Sequence, residues 1–182
     1  LECFHFPYRV IFVADATRNQ YLPLNSHHNF ITIHNGLDVD RLLTQAEKWT
    51  RKSARETLDI DPGEIAILLL GTVCDRKGQQ DLVKALPLLP PQWHSRIRCL
   101  IVGDRPSLYS SQLANLVNQL PESLRNRASI VSETPDTALY YRAADIFICT
   151  SRIESYPRVI LEAMGFDLPI ITTPVFGIPE QV

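Results

Sequence analysis

Residues Ile65 to Leu70 read Ile-Ala-Ile-Leu-Leu-Leu and stop at Gly71. Six apolar residues without alternation do not suit a strand that has one face in water. They suit a strand covered on both faces, the situation of a parallel sheet packed between helices. The segments around this run fall into the same rhythm. Before it, Tyr8 to Val13 reads as a strand, Ala14 to Leu24 as a short helix and Asn25 to Asn29 as a polar linker. Phe30 to His34 is a strand closed by the turn pair Asn35-Gly36, with helices over Asp38 to Ala46 and Arg51 to Leu58 and a turn at Asp61-Pro-Gly63. After it come helix Gln79 to Leu89, stopped by Pro90-Pro91, strand Ile97 to Val102, helix Ser107 to Leu120, strand Ser129 to Ser132 and helix Asp136 to Ala143. Strand Ile146 to Cys149, helix Pro157 to Met164 and strand Pro169 to Thr172 complete the series. Alternation of this kind over roughly 140 residues predicts an α/β domain with a doubly wound, Rossmann-like parallel sheet.

Composition narrows the function classes. The chain of 182 residues is 45% hydrophobic and 21% charged, with 18 basic and 20 acidic side chains and a net charge of −2. That is the profile of a soluble globular protein without the basic excess of a nucleic-acid binder. Cys3, Cys74, Cys99 and Cys149 form no Cys-x-x-Cys pair, and Cys99 and Cys149 lie in apolar strands, so free thiols in a reducing, cytoplasmic setting are expected. No apolar run reaches the length of a transmembrane segment. The pair His27-His28 has no third ligand in sequence, and His34 and His94 sit beside a turn and a tryptophan, so no metal site is expected. Ser151 lacks a nucleophile elbow and a partner histidine, which argues against a hydrolase. The chain opens on leucine, and Gly177 to Val182 looks like the start of a further helix, so a fragment is expected.

In open parallel sheets ligands bind beyond the carboxyl ends of the strands. Three segments lie there. Gly71-Thr-Val-Cys-Asp-Arg-Lys-Gly78 offers two glycines, a helix start and the charges of Arg76 and Lys77; it reads either as a phosphate loop or as an ordinary strand-to-helix turn. Val102-Gly-Asp-Arg-Pro106 reads as a turn into the next helix. Glu154-Ser-Tyr-Pro-Arg-Val-Ile-Leu-Glu162 places two carboxylates eight residues apart around a helix start. Pro157 suits the first helical position, with Ser155 or Tyr156 as the cap, and the helix amides would face a diphosphate. Glu154 could accept from sugar hydroxyls. Glu162, between Leu161 and Ala163-Met164, is too poorly solvated to lack a partner and could hold a ribose diol.

Together with Ile33-His-Asn-Gly-Leu-Asp38, Leu100-Ile-Val-Gly103, Ala144-Asp-Ile-Phe-Ile-Cys-Thr-Ser151, Leu168-Pro-Ile-Ile-Thr-Thr173 and Gly177-Ile-Pro-Glu180, these stretches resemble the donor-binding half of GT-B glycosyltransferases of family 4, in order and in spacing. The resemblance implies a GT-B carboxyl-terminal domain truncated at its end. Residues 29–182 would bind the nucleotide sugar, and residues 1–28 would be the remnant of an amino-terminal acceptor domain and its linker. It further implies retaining, metal-independent transfer from a UDP-, GDP- or ADP-sugar with no cofactor, by a parent protein that could contact membranes peripherally. On matching positions Lys77 would contact the diphosphate and Glu154 the sugar, both as catalytic groups. Gly71, Thr72, Arg76, the Tyr156-Pro157-Arg158 backbone and Glu162 would complete the donor contacts, with the loop around Ser132 to Thr134 near the base. Three positions depart from the family: Thr72 stands where arginine is usual, Tyr156-Pro157 where Phe-Gly is, and Asp167 where glycine is. Alternatives are a nucleotide-sugar epimerase of the same fold and a binding or assembly module without chemistry; as a fragment, the chain is expected to be inactive alone.

Overall fold

The computed structural model describes residues 8–24 and 29–182. Cys3, the His27-His28 pair and most of the expected linker lie outside the described residues. In chain order the elements are β1 (Val10–Phe12), α1 (Asp15–Tyr21), β2 (Phe30–Thr32), α2 (Val39–Ala46), α3 (Arg51–Thr57), β3 (Ile65–Leu70), α4 (Gln79–Ala85) and α5 (Pro91–His94). They continue with β4 (Ile97–Asp104), α6 (Leu108–Asn118), α7 (Glu122–Arg125), β5 (Ala128–Ser132), α8 (Thr137–Ala143), β6 (Ile146–Cys149), α9 (Arg158–Gly165) and β7 (Ile170–Thr172). None of the described helices is long and apolar enough to cross a membrane.

Strands β3 to β7 form one parallel sheet in the order β5-β4-β3-β6-β7, as the alternation predicts. Strand β3 holds the middle, pairing Ile65–Leu70 with Ile97–Val102 on one side and Ile67-Leu68 with Ile146-Phe147 on the other. The chain builds outward from β3 to β5, then returns to lay β6 against the opposite edge of β3. The order therefore reverses between β3 and β6, which opens a crevice beyond their carboxyl ends. Strands β1 and β2 make a separate parallel pair.

Alternate residues of β3 feed two cores. Ala66 and Leu68 pack with Ala54 of α3, Tyr141 of α8, Phe147 and Ile160 of α9. Ile67 and Leu69 pack with Leu82 and Val83 of α4, Leu113 and Val117 of α6 and Leu124 of α7. Cys99 and Cys149 are free thiols buried in these layers, and burial pushes the Cys99 thiol up to about 12. Helix starts are specified locally. The Asp38 side chain accepts from the Arg41 amide at 3.0 Å, Thr50 and Ser53 form a reciprocal capping box, and Ser107 accepts from the Ser110 amide.

Proline accounts for several differences from the expected boundaries. Helix α4 ends at Ala85, and Leu86–Leu88 tightens into a 3-10 turn, because Pro87 has no N–H for the helical ladder. Pro91 both follows a stop and opens α5, and Pro121 precedes the short α7; sequence patterning anticipates neither helix. Pro157 is the cap (φ −70°, ψ 123°), not the first helical residue, and neither Ser155 nor Tyr156 caps α9. Asp167 adopts φ 58°, the left-handed conformation that glycine would supply after a helix, and its backbone donates to Met164 at 3.0 Å.

At the opposite end of the sheet a charged network pins the strands. Buried Arg55 donates to the Ala143 carbonyl at 3.1 Å, to Asp145 at 3.0 Å, and to the Asp61 and Glu64 carbonyls at 2.6 and 2.7 Å. Asp145 in turn accepts from the Ala66 amide of β3 at 2.8 Å and from Arg51. Arg55→Ala strands these acceptors and should lower stability by about 3 kcal/mol. Urea unfolding checks this; a loss within the ±0.5 kcal/mol typical of a plain surface substitution would remove the network from the stabilising interactions.

Candidate functional site

The loops after β3 and β6 meet in the crevice. The first, residues 71–78, ends in the 3-10 turn Asp75–Lys77 and in Gly78, a left-handed residue (φ 67°) at which a Cβ would strike the Thr150 carbonyl. Only glycine permits that contact. The two loops are then stitched together. Thr150 donates its hydroxyl to the Lys77 carbonyl at 3.0 Å, and the Arg152 amide donates to the Arg76 carbonyl at 2.9 Å. The Arg152 guanidinium reaches Asp75 at 2.6 Å and Asp81 at 2.9 Å.

This stitching brings Lys77 and Glu154 into a direct ion pair, each side chain only 14% exposed. Arg76 joins the same carboxylate oxygen at 2.8 Å and donates to the Ile153 carbonyl at 3.1 Å. Burial pushes the Glu154 carboxyl up, but hydrogen bonds and charge from Lys77 and then Arg76 outweigh it and hold the group below its ordinary value. Gly71 (φ 147°) lies against the Lys77 side chain, and Gly103 (φ 117°) lets β4 approach the Gly71 carbonyl closely.

Behind Glu154 the chain is held by its carbonyls. Asn35 donates its amide to the Tyr156 carbonyl at 2.7 Å, and Gln181 donates to the Pro157 carbonyl at 3.1 Å. A Cβ on Gly177 would run into the Ser155 carbonyl and Ala14, so the carboxyl-terminal segment packs directly on the loop. Buried Tyr156 stacks on His34, with ring centroids 4.6 Å apart, and is not turned toward the Lys77 cluster as a side-chain contact. His34, Glu180 and Asp15 form a further cluster, whose ligand atoms lie within 4.8 Å of one another. The Glu180 oxygens there already accept from the Asp15 and Ala16 amides at 2.9 and 2.7 Å, capping α1. Helix α9 starts with no side-chain cap, leaving its positive end to the crevice.

The remaining expected residues line two adjoining hollows that share Leu70, Thr134 and Thr137. The larger, about 370 Å³, is bordered by Leu37, Arg41, Pro135, Arg158, Val159 and Glu162. The smaller, about 160 Å³, is bordered by Gly71, Thr72, Gly103 and Glu133. Of the loop from Ser132 to Thr134, Ser132 is exposed at the end of β5, while Glu133 and Thr134 line the hollows. Glu162 has the partner that its surroundings demand: the Tyr141 hydroxyl donates to it at 2.9 Å. Asn35, Thr150, Arg152, Tyr141 and Gln181 escape sequence reasoning. Asn35 reads as a turn residue and Tyr141 as core; only Arg152, a third cation beside Arg76 and Lys77, carries a visible signal.

The sequence profile described as glycosyl transferases group 1 matches residues 64–182. A D-inositol 3-phosphate glycosyltransferase of Pseudarthrobacter chlorophenolicus is 29% identical over 188 residues, covering 93% of this chain and 43% of that protein. The lipopolysaccharide core biosynthesis mannosyltransferase LpsB of Rhizobium meliloti is 28% identical over 157 residues, covering 85% of this chain and 43% of its own. Among solved structures, Anabaena HepE in complex with UDP and glucose matches with a TM-score of 0.82 at 24% identity, covering 99% of this chain and 48% of that one. A glycosyltransferase from Rickettsia africae matches with a TM-score of 0.78 at 26% identity, covering 94% and 46%. The chain spans less than half the length of each of these relatives. With more than half of its residues matched by the profile, the chain belongs to the glycosyl transferases group 1 family.

Proposed function

We propose that the protein to which this chain belongs transfers a glycosyl unit from a nucleotide-diphosphate sugar to an acceptor, with retention and without a metal, as a GT-B enzyme of family 4. The observation that carries the reading is the convergence of Lys77 and Arg76 on one carboxylate, Glu154, at the point where strand order reverses, with the uncapped start of α9 bordering the larger hollow. Two clustered cations, with a helix start on the same crevice, suit a departing diphosphate, whose charge grows as the sugar leaves. The names of the relatives support the same reading, and the HepE structure holds UDP and glucose. Residues 1–28 would close a preceding acceptor domain, and transfer would need both parts.

In the free chain Glu154 occupies the cations that the phosphates would claim. Phosphate arrival exchanges the Lys77 partner, and the hydroxyls of the donor sugar then take up the carboxylate. Thr72 brings no charge where arginine is usual, so Arg76 and Lys77 carry the electrostatics. The hollow beside Thr134 and Glu162 would take the nucleoside.

Calorimetry with UDP, GDP and ADP and their glucose or mannose conjugates tests this. Lys77→Ala should weaken both nucleotide and nucleotide sugar by roughly 10- to 100-fold, the worth of a charge-assisted hydrogen bond. Glu154→Gln should weaken the nucleotide sugar but hold the bare nucleotide at least as tightly as wild type, since Lys77 is released. If the folded wild-type chain bound none of these compounds, the donor-site reading would be wrong.

The same ion pair has a pH signature. Because the folded carboxyl of Glu154 lies below its ordinary 4.5, its contribution to stability is complete above that value and disappears as pH falls through the lowered folded value. The stability gap between wild type and Glu154→Gln, measured by urea unfolding, should therefore be constant near neutrality and close below pH 4.5. A gap that widened with acid would contradict the pairing.

A further inference from the structure

We infer that Tyr141 is a positioning residue for nucleotide binding: its buried phenol sets the Glu162 carboxylate for the two ribose hydroxyls. The inference rests on the nucleotide-sugar reading above.

Tyr141 is 1% exposed, a poor place for a hydroxyl without purpose. Its ring stacks on Phe166 with centroids 5.0 Å apart and lies 5.9 Å from Phe147, so it has little freedom to turn. The hydroxyl donates to Glu162 Oε2 at 2.9 Å and points also toward the Val159 carbonyl at 3.3 Å. A hydroxyl has one proton, and the shorter, charge-assisted contact to the carboxylate is the stronger.

A glutamate on a helix surface samples many rotamers. Here one carboxylate oxygen is tied to a ring that cannot move, while Glu162 itself borders the 370 Å³ hollow. The carboxylate plane is thereby set before any ligand arrives. A vicinal diol presents two donors at fixed spacing, and a fixed carboxylate matches it without the ordering cost a mobile one incurs. Burial first, and then the charge of Glu162, pushes the phenol well above its ordinary value, so the hydroxyl remains a donor throughout the neutral range.

The test uses the 182-residue chain with UDP, GDP and ADP and the 2′,3′-dideoxy form of whichever binds most tightly. Tyr141→Phe should weaken the ribonucleotide by roughly 2- to 10-fold, the worth of one hydrogen bond, and leave the dideoxynucleotide at its wild-type affinity. In a Glu162→Gln background the further change Tyr141→Phe should add nothing that depends on the ribose hydroxyls. Thermal unfolding of each variant separates a loss of folded protein from a loss of affinity. Equal weakening of both nucleotides, or of neither, overturns the positioning role. If Glu162→Gln itself fails to distinguish the two nucleotides, or if no nucleotide binds wild type, the underlying assignment of Glu162 to the ribose falls instead, and this inference with it.

Discussion

Parallel strands cannot be joined by a tight turn, so each connection in this sheet must cross it and return to the same end. That constraint governs everything at the site. It collects the loops after β3 and β6 at one end of the sheet, and the reversal of strand order parts the helices that follow them. Helix α4 lies on one face and α9 on the other, and the gap between their starting points is the only reason that Lys77 and Glu154, 77 residues apart, can touch. Remove the reversal and β6 would no longer lie beside β3, so the two loops would be held apart.

Much of this was legible because buried parallel strands advertise themselves. Ile65 to Leu70 has no polar residue, and the strand ends where the run ends. The α/β alternation and the two site loops follow from that signal and from the position of glycines and charges. Proline was read less well. Its fixed φ suits a cap and a first helical turn alike, so the sequence places Pro157 only to within one residue, and Pro91 opens one short helix and Pro121 caps another in what reads as loop. What was not legible is the tertiary support. Asn35, Tyr141 and Gln181 act through partners between 21 and 121 residues away, and nothing in their local sequence distinguishes them from turn, core or tail.

The site is electrostatically balanced before anything binds. A lone Lys77 at 14% exposure would be costly to keep charged, and a lone Glu154 equally so. Each neutralises the other, with Arg76 as a more exposed third member. The arrangement lets strong charges be stored in a half-buried crevice. It also means that any ion binding there would have to exchange partners, with a smaller net gain than the bare charges suggest.

The glutamine and glycine of the closing segment have a consequence for the order of assembly. Gln181 and Gly177 brace the Ser155–Pro157 backbone, and Glu180 reaches back 165 residues to cap α1. The loop carrying Glu154 is thus held by residues far from it in sequence, Ala14 and Asn35 before it and Gly177 and Gln181 after it. During synthesis strands β3 to β6 are made before residues 177–181. The bracing contacts themselves wait for residues 177–181 and for α1, which Glu180 caps. The brace on the Glu154 loop is therefore made after the strand that carries the loop, so scaffold precedes support.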